Sequence, residues 1–81
     1  MRKITKKQTL TLLRKVQKFQ IEDCGKHRIT TNLVLNDNNK LWFNAYGFKG
    51  DEVVNFYCWN FRSYDENNRD FEKFVEMFNE D

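Results

Sequence analysis

Eighty-one residues allow one domain, near the lower limit at which a hydrophobic core holds a fold without help. The 8 Phe, 3 Tyr and 2 Trp, each able to bury about 150–250 Å², supply that core without a metal or disulfide staple. A chain that is 40% hydrophobic and 32% charged is not disordered, and its net charge of +2 conceals net +7 over residues 1–28, 0 over 29–62 and −5 over 63–81.

The chain opens with a basic stretch, Met1 to Lys7, that no continuous apolar run follows, so no signal peptide and no membrane span are expected. Thr5 followed three residues later by Gln8 has the form of a capping box. Leu12, Leu13, Val16 and Phe19 then recur at helical spacing until Gly25, which predicts a helix over Lys6 to Asp23. On this helix Lys7, Arg14 and Lys18 fall together opposite the apolar stripe, a basic ridge able to contact phosphates.

From Arg28 the period changes to two. Ile29 to Leu35 reads as a strand, Asn36-Asp37-Asn38-Asn39 as a turn, Leu41 to Phe48 as a second strand, and Lys49-Gly50-Asp51 as another turn. Glu52 to Phe61, rich in Val, Phe, Tyr and Trp, supplies a third. Connections this short predict an antiparallel meander. Ser63 with Glu66, then Phe71, Phe74, Val75 and Phe78 at helical spacing, predicts a closing helix from about Asn67 to Asn79. The expected fold is therefore a single α+β domain spanning 1–81: helix, three-stranded antiparallel meander, helix.

Alternation sorts the strands into two faces. One carries Ile29, Leu33, Leu35, Leu41, Phe43, Ala45, Val54, Phe56 and Cys58, with Gly47 where a helix can approach closely. This face is the expected core, and both helices are expected to pack on it. The other carries Thr30, Asn32, Val34, Trp42, Asn44, Tyr46, Phe48, Val53, Asn55, Tyr57, Trp59 and Phe61. Two helices cover about one side of a three-stranded sheet, so this second face is expected to lie open as an aromatic patch.

Catalytic and metal readings find little support. Cys24 and His27 lie three apart, but no orienting residue or oxyanion loop accompanies them, and Cys24 stands at a helix C-terminus, where the dipole disfavours a thiolate. A semi-buried thiol beside a solvent-facing histidine is the expectation. Adding Cys58 gives no paired ligand spacing for zinc. The acids Asp65, Glu66, Asp70, Glu72, Glu76, Glu80 and Asp81 lack the order of a calcium loop and read as a solvated face. No enzymatic activity, metal or cofactor is expected.

The element order matches that of double-stranded-RNA-binding domains, which place a lysine cluster at the start of the last helix to grip phosphates. The matching stretch here, Asn67-Asn68-Arg69-Asp70-Phe71-Glu72, has one Arg beside two acids, and the chain is assigned to no family. The expected function is a binding module that docks a protein, or a second copy of itself, through Trp42, Tyr46, Phe48, Tyr57 and Trp59. The alternative is a nucleic-acid binder in which the same rings stack on bases while Lys7, Arg14 and Lys18 supply charge. Two unpaired cysteines suit a reducing cytoplasm, ten Asn and no Pro a mesophile, and the small size would suit a phage or mobile-element inhibitor.

Overall fold

The computed structural model describes residues 2–80; Met1 and Asp81, at the ends of the basic start and the acidic close, lie outside the described residues. The order is α1 (Lys6–Asp23), β1 (Thr30–Leu35), β2 (Leu41–Lys49), β3 (Glu52–Cys58) and α2 (Tyr64–Asn79), with the strands in one antiparallel sheet of order β1-β2-β3. The expected helix–meander–helix is thus the fold of the chain.

Each helix begins where its capping box lies. Thr5 Oγ1 accepts from the Gln8 N–H at 3.1 Å while Gln8 Oε1 accepts from the Thr5 N–H at 3.0 Å, and α1 then runs over the predicted span. Ser63 and Glu66 form the same reciprocal pair, each bond at 3.2 Å, so α2 starts at Tyr64, three residues before the span that apolar spacing predicts. The first turn of α2 carries Asp65 and Glu66, which suit the positive end of the helix dipole. That earlier start shortens the strand before it. β3 ends at Cys58 rather than Phe61.

Both helices pack on one face of the sheet. Leu12 and Val16 of α1 and Phe74 and Phe78 of α2 meet Phe43, Ala45, Phe56 and Cys58 there, all of them buried. A fully buried Leu or Phe contributes roughly 1.5–3 kcal/mol relative to exposure, so this cluster accounts for most of what holds the domain together. Gly47 makes the packing possible: a Cβ at this position would lie 2.5 Å from Ile29 Cδ1 and 2.7 Å from Phe78 Cζ. Ile29 is buried although β1 begins one residue later. The break comes from Arg28, whose left-handed φ of 51° leaves the Phe48 N–H to donate to His27 O at 2.7 Å.

Three predicted core residues are not in the core. Leu33 pairs with Phe43 across the sheet and so shares the helix-side face, yet it is 49% exposed, and Leu35 is 60% exposed. Leu41 is only half-buried. The reason is geometric: β1 is an edge strand, and the helix layer leaves its outer half uncovered.

Candidate interaction surface

Among the described residues, no helix or strand covers the face of the sheet turned away from the helices. Cross-strand register lays its side chains out in rows: Val34 beside Trp42, Asn32 beside Asn44 and Tyr57, Thr30 beside Tyr46 and Asn55, and Phe48 beside Val53. Not one of these residues is charged, in a chain whose residues are 32% charged. The sequence expectation of an open aromatic face holds for the backbone layout. Exposure of the individual rings differs.

Trp42, Tyr46, Phe48 and Trp59 are half-buried, because the rings shelter one another. Trp59 is the centre of the larger group: its ring lies 5.3 Å from Trp42, 5.0 Å from Tyr57 in a parallel stack tilted by 3°, and 5.7 Å from Phe61. Tyr57 is 40% and Phe61 61% exposed, so the outer side of this ladder faces solvent. A second group joins Tyr46 to Phe48 edge-on at 6.0 Å, with the Arg28 guanidinium 4.7 Å above the Phe48 ring. Aromatic pairs of this kind contribute about 0.5–1.5 kcal/mol each beyond area, so the surface is held in shape before anything docks on it.

Trp59 stands one residue past the end of β3, where the ladder no longer fixes the backbone. Asn67 of α2 takes over. Its Oδ1 accepts from the Trp59 N–H at 2.9 Å, and its Nδ2 donates to Trp59 O and Ser63 O, each at 3.0 Å. Asn67 is fully buried, and sequence reasoning missed it, since an Asn in a polar stretch resembles a solvated residue. The signal available was its place at the fourth position after the Ser63 cap.

Lys7, Arg14 and Lys18 are all exposed, on the side of α1 opposite its buried Thr9, Leu12, Leu13 and Val16. Since α1 lies on the helix side of the sheet, the basic ridge and the aromatic face point in opposite directions. The structure brings the rings together but does not bring the ridge to them. Nor does the ridge pair with the acids of α2: Lys15, beside it, donates to Tyr64 Oη and Asn68 Oδ1, each at 3.1 Å. Arg62, between β3 and α2, is the partner of Asp70 and Glu66.

The Cys24–His27 expectation is reversed. Cys24 is exposed, its thiol donating to Ile21 O at 3.4 Å, whereas the His27 side chain is only 14% exposed. His27 Nδ1 lies 2.6 Å from Asp23 Oδ1, and the His27 N–H donates to Asp23 Oδ2 at 2.7 Å. Burial acts to raise the Asp23 pKa, but the His27 N–H, the His27 ring and nearby Lys26 together outweigh it and hold the carboxyl below its ordinary value. The pair closes the turn after α1 beside the Phe78 ring, 4.8 Å away. Cys58 is buried, and desolvation, opposed by the Thr9 hydroxyl, pushes its thiol up to about 12.

Among the described residues, no three His, Cys, Asp or Glu side chains are grouped to hold a metal ion, and no helix is long and apolar enough to cross a membrane. No protein-family model, curated protein or solved structure matches the chain.

Proposed function

We propose that the chain is a binding module without catalytic activity, and that its aromatic sheet face docks the surface of a protein partner. The observation that carries this reading is that no strand residue of the open face is charged, with Arg28 alone reaching over Phe48 at one end, combined with a ladder of rings centred on Trp59. The core of a protein interface is depleted in charge and enriched in Trp and Tyr, and residues of those types dominate binding energy when truncated. Pre-ordered rings also lose little conformational freedom on docking. Asn32, Asn44 and Asn55, spaced among the rings, offer the hydrogen bonds that fix a partner's orientation.

A single strand of nucleic acid also stacks on aromatic rings, but it needs cations beside them. Arg28 is seated over Phe48 and Lys73 shares a groove with Tyr57 and Trp59 beside Asp70, but the basic ridge lies behind the sheet. The geometry thus favours protein.

Both tryptophans of the chain belong to this face, so their emission reports on it directly. The test is affinity capture from the native cell with wild type, with Trp42→Ala and Trp59→Ala, and with Lys7, Arg14 and Lys18 changed to Glu. A protein retained by wild type and by the ridge variant, lost from both Trp variants, and able to blue-shift the emission once purified supports the proposal. A partner lost only from the ridge variant rejects it.

A further inference from the structure

The edge of β1 is the least protected part of the sheet. In an antiparallel pair, residues alternate between those that exchange hydrogen bonds with the neighbouring strand and those whose backbone groups turn away from it. The Asn36 N–H donates to Lys40 O at 3.0 Å, and counting in twos from that pair joins Val34, Asn32 and Thr30 to β2. The N–H and C=O groups of Thr31, Leu33 and Leu35 therefore face outward. Edges that stay free are guarded by Lys, Pro, a bulge or an overlying element. Thr30–Leu35 has no charge and no Pro, and pairs with β2 in continuous register.

The helix side of this edge is apolar as well. Besides Leu33 and Leu35, Leu10 and Ile21 are exposed, at 39% and 75%. By helical phase they sit on the flank of α1 turned away from α2, which Lys15 meets from the other flank. Ile21 shares a groove with Gln17, Arg28 and Ile29.

We infer that the occupant of this edge is β1 of a second copy of the chain, paired antiparallel about a twofold axis between the two Leu33 residues. The outward-facing positions are symmetric about Leu33, so this register sets Leu33 opposite Leu33 and Thr31 opposite Leu35, and every outward N–H and C=O finds a partner. On the helix side the Leu33 and Leu35 side chains cover each other beneath the two α1 flanks. On the other side Asn32 stands opposite Val34, and the uncharged face continues across the seam of a six-stranded sheet. Neither strand carries a charge to oppose the pairing. This contact uses the edge and not the aromatic face, so it stands or falls separately from the function proposed above.

The test combines sedimentation across a range of protein concentrations with amide exchange at Thr31, Leu33 and Leu35. The expected mass is twice the chain's 9.9 kDa, with slow exchange at the three amides that quickens on dilution. Leu33→Lys, at a half-exposed side chain, should halve the mass and free those amides while retaining cooperative melting. Thr31→Pro, which removes an outward N–H, is the second variant and should do the same. Trp42→Ala should remain dimeric. A wild type that stays at 9.9 kDa with freely exchanging edge amides overturns the inference, as does a dimer that survives both edge variants and dissociates on Trp42→Ala.

Discussion

Asn67, buried in α2, holds the backbone of Trp59 through both its N–H and its C=O, and so places a ring on the far side of the sheet from the helix that anchors it. Asn67→Ala leaves the Trp59 N–H without a partner, while Trp59 O keeps the Arg62 N–H at 3.3 Å and Ser63 O keeps the Asn67 N–H at 3.1 Å, and a buried polar group left unmade costs about 1–3 kcal/mol. The expected loss of stability is roughly 1–3 kcal/mol by chemical denaturation. The far-ultraviolet exciton signal of the Trp42–Trp59 pair should also weaken, because their 5.3 Å spacing depends on this anchor. An unaltered signal would show that Trp59 is placed by its ring contacts instead.

A comparison of two substitutions on one face of the sheet checks how far the helix layer extends. Phe43 is fully buried, and Phe43→Ala should cost about 3–5 kcal/mol. Its cross-strand neighbour Leu33 is 49% exposed, so Leu33→Ala should cost less than about 1 kcal/mol in the isolated subunit. Equal costs would mean that β1 is covered after all.

What the sequence made legible follows from the kind of information each pattern holds. Helical spacing and two capping boxes located both helices, but the stretch from Tyr64 to Asn68 has no apolar period, so the cap marked the start of α2 better than the hydrophobic pattern did. Alternation assigned Leu33 to the right face, yet alternation cannot say whether anything lies over an edge strand. The Asp23–His27 pair was hidden because the residues between them leave the helix, and only the turn geometry brings carboxylate and ring together. Ridge and rings were each legible alone. Their opposed placement follows once both helices share one side, as their apolar stripes predict.

The two thiols should differ sharply. Cys24 is exposed, whereas Cys58 is buried with its thiol pushed up to about 12. A thiolate-directed reagent at neutral pH should titrate one thiol per native chain and the second only after denaturant is added. Two thiols reacting at the same rate would contradict the packing of Cys58 beneath α1.

Acid should weaken the turn after α1. Folding lowers the Asp23 pKa, so the folded state binds this proton less readily than the unfolded chain does. The stability it contributes is complete above the unfolded carboxyl value, near ~3.9, and is lost as pH falls through the lower folded value. Asp23→Asn should therefore melt below wild type at neutral pH, with the gap narrowing below about pH 4. A gap that stays constant across that range would remove the charge of Asp23 from the account.

Salt separates protein from nucleic acid as the occupant of the open face. Binding of an oligonucleotide should weaken with a log–log slope of about −0.7 per phosphate neutralised on a single strand, whereas docking on an uncharged face should vary little with ionic strength. The tryptophan emission, titrated with the captured partner in low and high salt, should give nearly equal affinities. A steep slope would return the rings to base stacking.

The opposed placement of rings and ridge also determines what a bound domain shows to its surroundings. If the domain docks by its sheet as proposed, Lys7, Arg14 and Lys18 of α1 face outward beside the exposed Asp65, Glu72 and Glu76 of α2. The host would then show a basic and an acidic stripe side by side. Each stripe would draw molecules of the opposite charge over a range of about 8 Å at physiological salt.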